Sequence, residues 1–298
     1  MRRILLFLVT NFAVILVLGI VASLLGVNRF LTPSGLDLKA LLIFSFIFGM
    51  GGSLISLQIS RWSAKRLTRC KVITGRSGSE TETWLYSTVE RLTRQADLPM
   101  PEVAIYSSSS PNAFATGPSK RRSLVAVSTG LMDNMNQDEV EAVLAHEVSH
   151  IRNGDMVSLA LIQGVVNTFV FFFARVVGYG IDAALSKGRQ SRGPGIGYYV
   201  GTIAAQILFS ILASMIVFWF SRKREFRADH GAAQLSGAEK MVSALQALQR
   251  GVSQPLPGSM AAFGISGKKG TGLSRLFMTH PPLEERIAAL QGSGARPE

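Results

Sequence analysis

The chain has 298 residues, 47% of them hydrophobic and 17% charged, with a mean hydropathy of +0.28. An average soluble chain carries about 25% charged residues, so this composition excludes an ordinary water-soluble domain and places the apolar excess in a bilayer. The net charge of +12 does not make it a nucleic-acid binder: the cations cluster beside apolar runs, as the positive-inside rule expects, and no DNA- or RNA-binding motif accompanies them.

Arg2 and Arg3 open onto a first apolar run, Ile4 to Val27, broken by Asn11 and Ser23. A signal peptide is the alternative. Its apolar part would be only about 7–15 residues, and no small-x-small cleavage site ends this run, so it is read as a retained anchor. A second run spans Leu41 to Ile59. Each run reaches the roughly 20 residues that a spanning helix needs. Of the basic residues only Arg29 and Lys39 lie between them, whereas Arg61, Lys65, Arg66, Arg69 and Lys71 follow the second without an acid. That asymmetry puts both termini and the 61–155 segment in the cytoplasm. Cys70 is the lone cysteine. It supplies neither an internal disulfide nor a thiolate zinc cluster, and it suits a reducing compartment.

Residues 61–155 are soluble in character. Glu80 to Ala96 has helical periodicity, with Trp84, Val89 and Leu92 as core positions. Val103 to Tyr106 and Leu124 to Val127 read as short strands. Asn136 with Glu139 forms a capping-box pattern for a helix through Val140, Val143, Leu144 and Val148, and Gly154 is its natural stop. A third apolar run, Met156 to Val177, carries one charge, Arg175, and a fourth, Tyr198 to Phe220, carries none. Lys187, Arg189 and Arg192 lie between them, so the pair is either two full spans or a shallow, protein-buried hairpin. After the fourth run come Arg222, Lys223, Arg224 and Arg227. Gly188 to Gly197 and Gly251 to Gly272 read as loops, Pro281 and Pro282 open a helix through Leu283, Ile287 and Leu290, and the tail from Gly292 reads as disordered.

The helix that begins near Asn136 holds His146-Glu147-Val148-Ser149-His150, an H-E-x-x-H pattern. Residues four apart share a helix face, so His146 and His150 can present their imidazoles to one metal ion. Glu147 points about 100° away round the helix, which suits a general base better than a ligand. A catalytic zinc site takes three protein ligands and leaves the fourth position open. The metzincin continuation fails, because Asn153 and Met156 stand where its glycine and third histidine belong. A carboxylate on a later helix is the other route. Just past the fourth run, Glu225 and Asp229 lie four apart: Glu225 as third ligand, Asp229 as the acceptor that orients a ligand histidine. From spacing alone, Glu225 can equally pair with neighbouring arginines on a solvated face.

These pieces resemble the HtpX-type membrane proteases, relatives of the zinc-dependent CAAX prenyl proteases. The resemblance runs through Pro111 to Gly117, His146 to His150, Glu225 to Asp229 and Thr279 to Arg286, in the family's order and over nearly the whole chain. It implies one zinc per chain held by His146, His150 and Glu225, with Glu147 as the catalytic residue. It further implies that the Asn112 to Gly117 stretch lies beside the cleft, where an edge strand can bind an extended substrate, with a simple turn as the alternative. His280 would either stabilise the oxyanion or begin a proline-initiated helix. His230 receives no role.

The expected architecture is a mainly α membrane protein with four transmembrane helices and a cytoplasmic α+β zincin-type domain. Residues 1–60 hold two spans, 61–155 the first part of the protease domain, 156–220 the third and fourth hydrophobic helices, and 221–298 the second part with the third ligand. The expected activity is zinc-dependent endopeptidase cleavage at the cytoplasmic side of a bacterial inner membrane. The resemblance implies quality control of misfolded or damaged membrane proteins under stress. Expected partners are membrane-protein or unfolded polypeptide substrates and the lipid bilayer, with no nucleic acid; oligomeric state is not readable. The rivals are a prenyl-protein protease and a non-catalytic zinc-binding membrane scaffold.

Overall fold

The computed structural model describes residues 2–27, 29–32, 35–75, 79–186, 194–251, 278 and 280–293, with side chains described from Phe12 onward and up to Gly292, Gly251 excepted. Arg2 and Arg3 as flanking charges, most of the Gly188–Gly197 and Gly251–Gly272 loops, Lys187, Arg189, Arg192, Thr279 and the last five residues lie outside that description. The chain divides into two compact units. One comprises Met1–Leu57 and Leu159–Val217, the other Gln58–Ser158 and Phe218–Glu298.

The first unit is built from long apolar helices. α1 covers Arg2–Leu24. A two-residue antiparallel pairing, β1 (Leu31–Thr32) with β2 (Gly35–Leu36), leads to Asp37, whose carboxylate caps the next helix by accepting from the Ala40 amide at 3.0 Å. α2 (Leu38–Phe46) passes through a π-turn at Ile47–Gly51 into α3 (Gly52–Thr68), giving 31 continuous helical residues. α7 runs from Asp155 to Leu185 and α8 from Ile196 to Ser236. Their large apolar side chains face outward: Leu161, Val165, Phe169 and Phe173 on α7 and Ile203, Ile207, Ile211 and Ile216 on α8 are all exposed. In water such a face would be unstable; in hydrocarbon it is the solvated one. Close packing depends on small residues, since a Cβ at Gly49 would strike the Thr168 backbone.

Among the described residues, three stretches are long and apolar enough to cross a membrane: Leu38–Thr68, Asp155–Leu185 and Ile196–Ser236. α1 contributes a shorter apolar stretch, Phe12–Leu24. The expectation of four spans therefore stands at three in the described part.

The second unit is a four-stranded mixed sheet with helices. β3 (Lys71–Ile73), β4 (Glu102–Tyr106), β5 (Ala113–Thr116) and β6 (Leu124–Ser128) are ordered β3-β4-β6-β5. β4 and β6 are parallel, with Val103 opposite Val125, and the edge strands β3 and β5 pair antiparallel to them. β6, the Leu-Val-Ala-Val-Ser run, is buried at every position, as an interior strand flanked on both sides should be. Both strands read from the sequence are present; β3 and β5 are too short for alternation to announce them.

α4 (Glu80–Gln95) buries Leu85, Val89 and Leu92. Trp84 only packs against the rim of this core, and Leu85, one residue on, takes the central place. α5 is the short turn Thr129–Asn134. α6 (Gln137–Asn153) lies against α4, α9 (Ala238–Gly251) and β5. Its capping box is complete: Asn136 Oδ1 accepts from the Glu139 amide at 2.9 Å and Glu139 Oε2 accepts from the Asn136 amide at 3.1 Å. Gly154, at φ +67°, ends it in the left-handed conformation that glycine adopts without strain. All residues from Ala142 to Ile151 are buried, so the H-E-x-x-H segment lies in a helix enclosed by protein. α10 (Leu283–Ser293) follows Pro281 and Pro282 and packs Leu283 and Leu290 into the same core. It reaches past Gly292 into what the sequence marks as tail.

Candidate metal centre

α6 and the far part of α8 build the site. α8 does not end with the apolar run at Phe220. It continues to Ser236, because nothing from Ser221 to His230 breaks a helix, and so it carries Glu225 and Asp229 four residues apart on one helix. His146, His150 and Glu225 are all buried, and one ligand atom from each lies within 4.8 Å of the others. His146 Nε2 and His150 Nε2 face each other at 3.1 Å. Glu225 brings Oε2 to 3.6 Å from the first and Oε1 to 3.4 Å from the second. Glu225 is fully enclosed, with Arg224 Nε no closer than 3.6 Å, so the alternative of a solvated Glu–Arg face does not hold.

The outer ring nitrogens are held by carboxylates. His146 Nδ1 is 2.9 Å from Asp229 Oδ1, and His150 Nδ1 is 2.7 Å from Asp155 Oδ2. An ionised carboxylate only accepts, so each pairing assigns the proton of a neutral imidazole to Nδ1 and leaves a lone pair on Nε2. Two Nε2 lone pairs then point at each other beside a carboxylate whose two buried oxygens lack any well-aligned hydrogen bond. Buried acceptors without donors are costly. A cation among them removes that cost, and this donor set of two imidazoles and one carboxylate fits a catalytic metal.

The charge balance agrees. Burial opposes a charge on His146, yet the neighbouring carboxylates of Asp229 and Glu225 outweigh this and raise the imidazole, so the pocket favours a cation at Nε2, whether a proton or a metal ion. Burial likewise opposes a charge on His150, and the bonds to Asp155 and Glu225 raise it. Burial pushes the Glu225 carboxyl up, but His280, His146 and His150 hold it well below the usual range. This part of α8 lies beyond the apolar run. The whole cluster stabilises positive charge at its centre.

Two supporting residues escaped sequence reasoning. Asp155 opens α7 just past the Gly154 stop; the legible signal was an acid five residues after a ligand histidine. Arg286 was quoted in the family resemblance without a role. It is fully buried and holds Asp229 with two bonds, Nε to Oδ2 at 2.8 Å and Nη2 to Oδ1 at 2.6 Å. Burial pushes the Asp229 carboxyl up, but the guanidinium overrides it and keeps the group at about 2. The signal for Arg286 was its place in the apolar stripe of α10, three residues after Leu283 and four before Leu290.

His280 is nearly buried, with Nδ1 2.9 Å from Glu225 Oε2. Glu147 is buried on α6 at 4% exposure, among the ligand residues in sequence but outside the cluster of ligand atoms. Asn112 is enclosed at the mouth of β5. Its Nδ2 donates to the Tyr106 hydroxyl at 2.9 Å and its backbone amide donates to Ser128 Oγ at 2.9 Å. β5 is a sheet edge next to α6. His230 is exposed and contacts Gln234 at 3.2 Å, away from the cluster.

The family model of peptidase family M48 matches residues 79–293. The chain belongs to peptidase family M48. It is 61% identical to Protease HtpX of Thioalkalivibrio sulfidiphilus, over 98% of this chain and 99% of that protein. It is 57% identical to the Protease HtpX homolog of Nitrosomonas europaea, over 98% of this chain and all of that protein. The fold also resembles the crystal structure of S. mikatae Ste24p, with a TM-score of 0.63 at 17% identity, covering 97% of this chain and 66% of that one. The M48 chain is thus a membrane metalloprotease, as its composition and motif imply, and the non-catalytic scaffold reading gives way. The likeness to Ste24p carries the fold alone.

Proposed function

We propose that the chain is a zinc-dependent endopeptidase that cleaves membrane proteins and unfolded polypeptides at the cytoplasmic face of a bacterial inner membrane. The observation that carries the reading is the convergence of His146 Nε2, His150 Nε2 and Glu225 as buried acceptors without a donor among them. Zinc, one ion per chain, suits two nitrogens and one carboxylate oxygen with a position left open. When bound, it would polarise the scissile carbonyl and acidify the attacking water.

The protein's own groups supply the rest. Glu147, one residue round the helix from His146, takes the proton of the attacking water and returns it to the leaving amine. Asp229 and Asp155 hold the two imidazoles in the tautomer that turns each Nε2 inward. His280, whose Nδ1 lies 2.9 Å from Glu225 Oε2, stands beside the cluster where the oxyanion would develop. The edge of β5, set by the Asn112 anchor to Tyr106 and Ser128, would receive the substrate as an added strand.

In the proposed arrangement α1 is a fourth span, the divisions near residues 60, 155 and 220 separate membrane from protease segments, and both termini are cytoplasmic. The support is the cation cluster from Arg61 to Lys71 and the uncharged fourth run. A site so near the membrane suits substrates that present damaged segments at its surface, hence quality control.

The test is elemental analysis together with cleavage of an unfolded membrane-protein substrate in detergent, for the wild type and Glu147→Gln. The wild type should carry about one zinc and cleave. Glu147→Gln should keep the zinc and lose roughly 10²–10⁴-fold in rate. A wild-type rate in Glu147→Gln, or activity untouched by a chelator with no zinc present, overturns the reading. A prenylated peptide in the same assay separates the prenyl-protein alternative.

A further inference from the structure

The third apolar run holds a single charge, Arg175, two residues before its end at Val177. Ionisable groups in apolar spans are rare and tend to pair or face a cavity. Among the described residues Arg175 makes no ion pair. Its Nη1 donates to the Phe171 carbonyl at 3.0 Å, and its guanidinium lies over the rings of Phe44 at 4.9 Å and Phe171 at 5.4 Å. Those contacts use one of five N–H donors and bring no negative charge. The nearest acid along the helix, Asp182, is committed elsewhere: it accepts from the amides of Gly195 at 2.9 Å and Tyr198 at 3.2 Å and so caps α8.

Arg175 lines a cavity of about 480 Å³ together with Phe44, Tyr198, Tyr199, Thr202 and Gln206. Thr202 Oγ1 is buried and lacks a well-formed hydrogen bond. Tyr199 and Ile203, also on the cavity wall, are 56% and 61% exposed, so the polar pocket opens beside an apolar face. Tyrosines at the end of an apolar run mark the headgroup level of a bilayer. The lining thus offers a planar cation and the Gln206 amide for an oxyanion, with an apolar surface alongside for acyl chains.

We propose that this cavity binds the phosphate headgroup of an anionic phospholipid, with Arg175 as its counter-ion. The guanidinium fork meets two phosphate oxygens, Gln206 meets a third polar atom, and the acyl chains lie along Tyr199 and Ile203. The proposal does not depend on the chemistry of the metal centre.

Native mass spectrometry of the full chain in non-ionic detergent tests it, with phosphatidylglycerol, phosphatidylcholine and inorganic phosphate as probes. The wild type should retain one phosphatidylglycerol in preference to phosphatidylcholine, and inorganic phosphate at equal concentration should not displace it. Arg175→Gln should weaken phosphatidylglycerol by about tenfold or more, and Arg175→Lys by less, because a lysine keeps the charge and loses the fork. Gln206→Glu leaves Arg175 intact and puts a carboxylate on the same cavity wall, where it repels the headgroup, so it should exclude the lipid even if Arg175→Gln fails to fold. Binding of phosphatidylglycerol that Gln206→Glu and a folded Arg175→Gln both leave at the wild-type level overturns the proposal. Displacement of the lipid by inorganic phosphate at equal concentration also overturns it, since the occupant is then a free anion.

Discussion

The two histidines of the candidate metal cluster sit four residues apart on one helix, yet the protein backs them differently. His150 leans on Asp155, five residues away in sequence, at the start of the next helix. Behind Asp155 stands Arg227, at 3.3 Å and 57% exposed. His146 leans on Asp229, 83 residues away on α8. Behind Asp229 stands Arg286, fully buried, on α10. Each support joins three helices, α6, α7 and α8 on the one side and α6, α8 and α10 on the other. They differ at the outer cation, which is half-exposed at Arg227 and fully buried at Arg286. Orienting an imidazole and holding the fold together are separate tasks, and burial of the outer cation assigns more of the second to the His146 side.

Glu225 belongs to neither side, and its replacement should have the largest effect. Glu225→Gln exchanges an anion for a neutral amide between two imidazoles that already favour positive charge at the centre. Both metal binding and cleavage should be lost. Metal stoichiometry after dialysis and substrate cleavage measure this. A variant that retained a full equivalent of metal and near-normal activity would move the third ligand elsewhere.

Arg286→Gln comes next, because it separates the two sides most sharply. It leaves Asp229 ionised, buried and without its bidentate partner. Breaking a buried ion pair from one side costs about 3–5 kcal/mol. Thermal or denaturant unfolding of the detergent-solubilised protein should show that loss, and metal affinity should fall with it because Asp229 no longer has a fixed place beside His146 Nδ1. Unchanged stability would mean that Asp229 finds another partner, and the contrast between the two sides would collapse.

How much of this was legible in the sequence divides along the same line. His146, Glu147 and His150 were readable because helical geometry turns spacing into a shared face, and Asn136, Glu139 and Gly154 fixed the ends of that helix. Glu225 and Asp229 were readable as a pair for the same reason, while spacing alone left Glu225 open between ligand and solvated ion pair; its burial decides against the solvated face. Arg286 was not readable as the partner of Asp229. That contact joins residues 57 apart through tertiary packing, and no local pattern encodes it. In the sheet, β4 and β6 show as apolar runs. β3 and β5, of three and four residues, are set by pairing with their neighbours and not by periodicity. In the apolar helices composition gave length but not neighbours, since every face is hydrophobic; only small residues such as Gly49 hint at which faces touch.

Asp229→Asn and Asp155→Asn compare the orienting task directly. Each removes a carboxylate from an imidazole Nδ1, and each should lower metal affinity or activity by about 10–100-fold, the usual range for a group behind a ligand. Stability should differ. Asp229→Asn strands the buried Arg286 charge, whereas Asp155→Asn frees an Arg227 that water can solvate. Metal titration should therefore show similar losses and unfolding should show the larger drop for Asp229→Asn. Equal destabilisation would show that the Asp155 side is as structural as the other.

Arg227→Gln should have the smallest effect. The contact with Asp155 is long, at 3.3 Å, and the arginine side chain is more than half exposed. Water screens such a pair, and exposed ion pairs contribute about 0–1 kcal/mol. Asp155 also does not depend on Arg227 for compensation, because it sits at the first turn of α7, where the helix dipole favours a negative charge. His150 should keep its acceptor, and metal content should stay at the wild-type level, with cleavage changed by less than about threefold and stability by less than about 1 kcal/mol. The informative comparison is with Arg286→Gln in the same assays, since both variants remove a cation from the carboxylate behind a ligand histidine. If Arg227→Gln matched Arg286→Gln in lost metal and lost stability, burial would not be what distinguishes the two supports, and the dipole of α7 would be too weak to hold Asp155 in place.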